Sequence, residues 1–501
     1  MASVFLKLAV SVIVLFVLYL VKKYSYWKRR GIPTVKGCIP LIGNILPVLT
    51  LQMNFHSMHT KMYEDNEKHS MVGYYKLWDP VLVIRDPQLA KTVLQSNFSS
   101  FHKNALEVRE DLDPALSKNP FFCYGEQWSR ARKRLTWAFS SVRLKTLFLT
   151  VAGVCKKFED FLNRRLKENN RYEVELKYLF SKFTGEVIAN AGLGIEGFCF
   201  EDKKHPMAFD AVSEEVFSSS WKRAIENNAL FIRQLRNLLN QKFITAEFDA
   251  FFRNAIRENL KLREKDPTPR NDFLQLMMDL TKNSNETIDE DSLVAETMSF
   301  YVDGFETSSI TLSFVGFQLA RHPDIQEKLR EEVKSKLAKY DGVLTFDGLK
   351  EMTYMDQVIN ESQRCHSGLG GLSKICTETI ELEGSDGLKC RMEPGTEVVV
   401  AYQGLQNDPQ YWSNPEVFDP DRFSEDRKQN IVKMTFLPFG EGPRMCVGMK
   451  MAQLQMKAAL ATLINNYKLE LSPKTKLPLK MSPYYFLMAP VGGLWAYITK
   501  V

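Results

Sequence analysis

The residues with the clearest chemistry lie near the C-terminus, in Phe439-Gly440-Glu441-Gly442-Pro443-Arg444-Met445-Cys446-Val447-Gly448. Three glycines across residues 440–448 allow a tight loop whose backbone amides can point at one sulfur. The stretch that follows, Met449 to Leu463, has a helical pattern, which puts Cys446 near a helix N-terminus. Amides and helix dipole together favour a thiolate over a thiol at such a place. A second group interrupts an apolar run: Asp303-Gly304-Phe305-Glu306-Thr307-Ser308, inside a helix expected from about Glu290 to Arg321 and stopped by His322-Pro323. Asp303, Glu306 and Thr307 share a face by i, i+3, i+4 spacing. Gly304 in mid-helix costs about 1 kcal/mol relative to alanine, so a local reason for it is expected. Met298, Phe300, Val302 and Phe305 make this helix apolar on most sides, unlike a surface helix.

The elements that must position these groups follow from the rest of the chain. The 501 residues are 45% hydrophobic and 25% charged, the composition of an ordinary globular protein. A formal charge of +6, with basic residues spread among 60 acids, does not suggest nucleic-acid binding. None of the eight cysteines forms a C-x-x-C pair, so neither a zinc ribbon nor a thioredoxin-type site is indicated. Cys446 apart, they read as small buried hydrophobes of a protein in a reducing compartment.

Val4 to Val21 is almost wholly apolar and as a helix would be about 27 Å long, close to the hydrocarbon thickness of a bilayer. No small-residue cleavage site follows it. Instead Lys22, Lys23, Lys28, Arg29 and Arg30 follow, which the positive-inside rule places in the cytoplasm. Residues 1–21 are therefore expected to be a transmembrane signal anchor and residues 22–48 a basic, Pro/Gly-rich extended linker. Residues 49–501 are expected to form one domain. Met71–Leu77 and Val81–Ile84 look like strands separated by Asp79-Pro80. Helical patterns dominate from about Pro87 to Leu337, and short β-like runs return between Ile375 and Val400. A helix from about Gly448 to Asn466 and a strand-like tail end the chain. The fold class expected is mainly α with small β-sheets.

The spacing F-G-x-G-x-R-x-C-x-G around Cys446 resembles the heme loop of the cytochrome P450 family at every fixed position. Other matches occur in family order, so the resemblance covers about residues 30 to 500. Trp128-Ser-Arg-Ala-Arg132 looks like the W-x-x-x-R helix, Glu361-Ser-Gln-Arg364 like the E-x-x-R helix, and Pro420-Asp-Arg422-Phe423 like the arginine motif that completes its ion network. Asp303 to Ser308 is similar to [A/G]-G-x-[D/E]-T-[T/S]. The resemblance implies the cytochrome P450 fold and heme b (iron protoporphyrin IX), with Cys446 as the metal ligand and Phe439 packed beside its sulfur. It places Trp128, Arg132 and Arg444 at the heme propionates. A thiolate behind heme iron pushes electron density forward and favours O–O cleavage. Thr307 and Glu306 would relay protons to the oxygen site, and the glycine–threonine pair would loosen the distal helix.

The chain departs from the family pattern at two places. His366-Ser367-Gly368 stands where a proline pair is usual, and Lys374 replaces an expected arginine, supplying charge at a propionate but no bidentate fork. His366, with no partner histidine at ligand spacing, is read as structural. Asp303 stands where alanine or glycine is usual. The fatty-acid ω-hydroxylase branch, with glutamate there, can esterify a heme methyl. Asp303 is accordingly expected to bond to the heme edge, to orient a polar group of the substrate, or simply to turn away as a solvated acid, with Glu306 raising its pKa.

The resemblance assigns a monooxygenase that inserts one oxygen atom of O2 into a lipophilic small molecule. Segments around Asn104–Phe122, Asn227–Phe243, Phe300–Thr307, Leu369–Leu372 and Tyr484–Met488 would face the substrate. No G-x-G-x-x-G fingerprint precedes a strand–helix unit, so electrons from NADPH would come through NADPH–cytochrome P450 reductase, with cytochrome b5 as a further donor. Arg130, Arg132, Lys133, Arg134, Arg444 and Lys450 could form a basic docking face. The wording of the cysteine loop is similar to insect microsomal members of the drug- and toxin-metabolising branch. That placement implies a single pass through the endoplasmic reticulum membrane with the catalytic domain in the cytosol. Two alternatives stay open: a heme-thiolate isomerase or dehydratase, and a heme-binding protein with reduced or lost turnover.

Overall fold

The computed structural model describes residues 2–201, 205, 208–210, 219–266, 268, 270–283 and 289–501. Its centre is the helix Glu290–Arg321, 32 residues long and therefore about 48 Å from end to end. Asp289 caps its N-terminus by accepting a hydrogen bond from Ser292 N at 2.8 Å, and His322-Pro323 ends it because Pro323 opens the next helix, Pro323–Lys339. From Val294 to Ala320 nearly every side chain is buried, as expected of a helix apolar all round. The helices Ser141–Glu168, Leu176–Val187, Thr353–Cys365 and Met449–Asn466 surround it and share its apolar core.

A second core lies under a five-stranded sheet. Its strands are β1 (Met71–Lys76), β2 (Asp79–Ile84), β3 (Lys103–Asn104), β5 (Leu372–Ile375) and β8 (Glu397–Val400), in the order β1-β2-β8-β5-β3. β4 (Tyr172–Glu175), β9 (Tyr467–Leu471) and β10 (Trp495–Lys500) make a three-stranded sheet, and β6 (Ile380–Glu383) pairs with β7 (Lys389–Met392). The hairpin turn between β1 and β2 falls at Leu77-Trp78 rather than at Asp79-Pro80, with Leu77 at φ 56°. Pro80 is tolerated inside β2 because the parallel ladder to β8 begins only at Val81, so its missing N–H leaves no gap in that ladder.

The N-terminal helix Ala2–Tyr24 includes an apolar span, Val4–Tyr24, with mean hydropathy 2.8 and none of it buried in the protein. It is long and apolar enough to cross a membrane. The segment after it does not behave as a free spacer. Trp27 is 0% exposed and its Nε1 donates to Tyr74 O at 3.0 Å. Gly73 makes the room, since a Cβ there would sit 2.4 Å from the indole. Tyr75 OH donates to Tyr24 O at 2.8 Å, so the foot of this helix is fastened to the sheet.

Five of the cysteines outside the 439–448 loop are buried, but Cys38 is exposed and Cys365 only partly covered, so the expectation of seven buried thiols fails at Cys38. Cys38 sits in the Pro/Gly-rich segment, where no second layer covers it.

Candidate active site

The loop that carries Cys446 closes on itself through a 2.8 Å hydrogen bond from Cys446 N to Phe439 O. Gly440 and Gly442 take φ of 67° and 77°, a region that side chains rarely adopt. At Gly442 a Cβ would also lie 2.0 Å from Leu94 O, so the loop can pass that carbonyl only with glycine. Helix Met449–Asn466 begins directly after Gly448.

Cys446 has accessible surface although protein surrounds it closely enough for burial to push its thiol up to about 11. Both hold because the accessible surface faces the interior. The amides of Gly448 and Met449 pull the pKa down as the sequence implies, but burial outweighs them. The loop therefore presents a thiol that becomes a thiolate once a cation binds it. Across from it, within the buried stretch of the central helix, Asp303 and Thr307 are exposed and Gly304 half-exposed. Asp303 is close enough to Cys446 to raise its pKa electrostatically. Cys446 on one side and Asp303, Gly304 and Thr307 on the other thus border a gap inside the protein.

The central helix stays α-helical through this region instead of loosening. Thr307 Oγ1 donates to Asp303 O at 2.5 Å, and Gln455 Nε2 donates to Gly304 O at 3.2 Å. A Cβ at Gly304 would crowd Ile188 Cδ1 at 3.2 Å. Glu306 leaves the face of its neighbours. It is 1% exposed, pairs with Lys177 Nζ at 3.0 Å, accepts from Tyr485 OH, and keeps Oε2 without a partner. Burial, and then Glu306, hold the Tyr485 phenol well above its usual pKa, so it remains a donor. Asp303 Oδ2 accepts from Asn119 Nδ2 at 3.2 Å. Its carboxyl is pushed up to about 7 by burial, not by Glu306 as the spacing implied.

At one edge of the gap the cations gather. Arg444 donates from Nη1 to Pro120 O at 3.0 Å and from Nη2 to Cys123 O at 2.8 Å, while its buried Nε has no partner. Its guanidinium lies 4.8 Å from the Trp128 ring centroid. Arg132 Nη1 donates to Met445 O at 2.5 Å and lies within electrostatic reach of Cys446. Lys374 is 1% exposed, with Nζ bonded to Asn104 Oδ1 at 2.7 Å, and burial with nearby Arg444 pushes its pKa down to about 7. Buried Lys374 and half-buried Arg444 meet only neutral oxygens among the described residues, an arrangement that fits an anionic group supplied from outside. Heme fits these residues: a thiol for its iron, Arg444 and Lys374 for its propionates, and an interior gap between.

The E-x-x-R network is complete. Glu361 Oε2 meets Arg364 Nε at 2.8 Å, Arg422 Nε approaches Glu361 Oε1 at 3.3 Å, and Glu361 and Arg364 are fully buried. Arg364 also donates to Gln406 O at 3.1 Å and Pro415 O at 2.8 Å, which ties this helix to the loop leading into Cys446. His366 stacks on Phe314 at 4.6 Å, a packing role as expected. The basic docking face is thinner than the sequence implied. Arg132 turns to the cysteine loop, Arg444 turns to the carbonyls of Pro120 and Cys123, and Arg134 pairs with buried Glu296, leaving Arg130, Lys133 and Lys450 exposed, with Arg130 on Glu126. Sequence reasoning missed Lys177 and placed Asn119 and Tyr485 only within broad substrate-facing segments, because none of the three carries a motif.

The apolar segments converge. Phe122 meets Phe243 at 5.4 Å, Phe243 meets Phe486 at 5.6 Å, and Phe486 meets Phe231 at 5.5 Å. This aromatic chain joins the loop before Tyr124, the 227–243 region and the C-terminal turn.

A helical fold with small sheets, a cysteine loop at a helix start and a polar break in the central helix define a heme-thiolate protein. The family model for cytochrome P450 matches residues 33–496, and the chain belongs to that family. It is 32% identical over 485 residues to cytochrome P450 6j1 of Blattella germanica, covering 96% of this chain and 95% of that one. It is 30% identical over 514 residues to cytochrome P450 6a2 of Drosophila melanogaster, covering 99% of each. It is also 30% identical to cytochrome P450 9e2 of Blattella germanica over 97% of this chain and 96% of that one. The protein is a monooxygenase of this family, which binds heme b through a cysteine thiolate.

Proposed function

We propose that the chain inserts one oxygen atom of O2 into a lipophilic small molecule, with Cys446 as the thiolate ligand. Electrons from NADPH arrive through a separate reductase. The observation that carries the reading is the accessible surface shared by Cys446, Asp303 and Thr307 inside an otherwise buried core. When bound, heme supplies the activation of O2 and the transfer of one oxygen atom to the substrate. Cys446 gives up its proton to become the ligand, helped by the amides of Gly448 and Met449. Arg444 and Lys374 would neutralise the heme propionates, with Trp128 and Arg132 holding Arg444 and the cysteine loop in place. Phe439, whose carbonyl closes the loop on Cys446 N, would pack its ring beside the sulfur.

Thr307 Oγ1 stands at the gap, ready to pass a proton. Glu306 takes protons from solvent through Lys177, whose side chain is 29% exposed, and Tyr485 fixes its carboxylate. The aromatic chain Phe122–Phe243–Phe486 excludes water and favours apolar substrates. The anchor Val4–Tyr24 holds the chain in the endoplasmic reticulum membrane, with the catalytic part in the cytosol and Arg130, Lys133 and Lys450 toward the reductase or cytochrome b5. The test is the reduced, carbon-monoxide-bound spectrum. A red-shifted Soret band is expected in the native protein and its loss in Cys446→Ser; an unchanged spectrum in that variant refutes the assignment.

A further inference from the structure

Asp303 differs from the buried acids that pair with cations, and also from Asp86 and Asp113, which have no cation among the described residues but accept from the backbone N–H groups of Gln88, Ser385 and Phe243. Glu296 pairs with Arg134, Glu306 with Lys177, Glu361 with Arg364 and Arg422, and Asp272 with Arg263. Asp303 has no cation within salt-bridge distance among the described residues; its one hydrogen-bond partner there is the neutral amide of Asn119, at 3.2 Å. Yet its side chain is not sealed off, because it is exposed on a helix whose next residues Phe305, Glu306, Ser308 and Ser309 are all buried. The carboxylate therefore borders the gap across from Cys446, one helical turn before Thr307, with no positive charge among the described residues to balance it.

Its holder is built. Asn119 is 0% exposed, and its Oδ1 accepts from Phe121 N at 2.7 Å, which points Nδ2 at Asp303. The same loop is fixed from the other side by Arg444 on Pro120 O and Cys123 O, and by Asn104 Nδ2 on Phe121 O at 2.7 Å. The cations of this region thus bind the loop's carbonyls, while the acid is left facing the gap.

We propose that Asp303 is a recognition site for a cationic nitrogen, so that the preferred substrates are lipophilic amines whose protonated nitrogen pairs with this carboxylate. The inference rests on the monooxygenase reading above and narrows its substrate class. Asn119 positions the carboxylate, the substrate's charge supplies the missing cation, and its apolar body lies against Phe121 and Phe122 of the same loop. A neutral molecule of the same shape must instead leave the acid ionised and unpaired or protonated, which burial already favours by holding it near 7.

The test uses the heme-loaded full-length protein in detergent and two probes of one shape. One is trimethyl(3-phenylpropyl)ammonium, which cannot ligate a metal or lose its charge; the other is its neutral isostere (4,4-dimethylpentyl)benzene. Dissociation constants come from equilibrium dialysis, and comparison between variants cancels partitioning into detergent. Asp303→Asn, which keeps the shape and a contact to Asn119, is expected to weaken the cation about tenfold or more and leave the isostere nearly unchanged. Asp303→Glu is expected to retain the preference for the cation. Equal affinities for the cation in native protein and Asp303→Asn, or an equal loss of both probes, overturn the proposal, as does heme that stays on the polypeptide through Asp303 after acid denaturation. The carbon monoxide spectrum of each variant reports separately on the monooxygenase reading: a retained red-shifted band with no charge preference defeats only the amine site, and a missing band in native protein defeats the reading beneath it.

Discussion

Lys177 Nζ lies 3.0 Å from Glu306 Oε1, joining a side chain that is 29% exposed to one that is 1% exposed. The pair links solvent to the middle of the central helix, and the unpartnered Oε2 of Glu306 leaves a place for one more proton carrier. Glu306→Gln keeps the bond to Tyr485 but cannot carry a proton. Turnover is expected to fall on the order of a hundredfold, with a larger solvent isotope effect. Lys177→Ala should show a smaller loss of the same kind. Full turnover in Glu306→Gln removes this route.

Thr307→Ala tests the other end. The hydroxyl bonded to Asp303 O is lost, and the gap beside it widens by a methyl and an oxygen. Product formed per NADPH consumed is expected to drop, because reducing equivalents leave as peroxide or water. An unaltered ratio with a well-coupled substrate takes Thr307 out of the mechanism.

Glu361 is the centre of a buried charge network, so Glu361→Ala strands Arg364 and Arg422 without their carboxylate. The cost is about 3–5 kcal/mol. The urea midpoint should fall accordingly and heme retention with it, since Arg364 also holds the strand of chain around Pro415 and Val417. A native-like midpoint contradicts the structural role.

Acid should destabilise the protein before its carboxylates titrate. His56 is 6% exposed with neither ring nitrogen partnered, and burial lowers its pKa from 6.5 to about 4. Above pH 6.5 the ring is neutral in both folded and unfolded chains. Below it the unfolded ring takes a proton that the folded ring refuses, so stability falls as pH drops, by roughly 3 kcal/mol by pH 4 from this residue alone. His56→Leu should flatten that part of the stability profile; an identical profile refutes the assignment.

Trp27 separates the membrane-spanning helix from the fold it leads into. Removing residues 2–24 takes away the anchor and spares the indole, so a folded, heme-loaded protein is expected to leave the membrane fraction. Exposed Leu238 and Leu239 are expected to sustain some residual binding. Trp27→Ala in the full chain should cost about 3–5 kcal/mol, because the ring is fully buried against Gly73. Equal melting temperatures for Trp27→Ala and native protein defeat that reading.

The sequence by itself determined the features whose chemistry is local. Gly440 and Gly442 were required by positive φ, the loop ended at a helix start, and Glu290 to Arg321 could be read from its apolar pattern and the terminal His-Pro. The E-x-x-R motif also survived, because three residues of helical spacing put Glu361 and Arg364 in contact without help from the rest of the chain. Tertiary structure alone decided which way the groups near the gap face. Three residues within one helical turn part company: Asp303 and Thr307 turn to the interior space, while Glu306 turns to Lys177 and Tyr485, which come from 129 residues before and 179 residues after it in the chain. Spacing cannot distinguish these outcomes, since i, i+3 and i+4 positions cover a wide arc of helix surface and the packed neighbours select the side. The protonation of Cys446, the partners of the six basic residues and the isolation of Asp303 were hidden for the same reason. Each depends on burial and on charges brought close by packing, and neither quantity is written in the local order of residues.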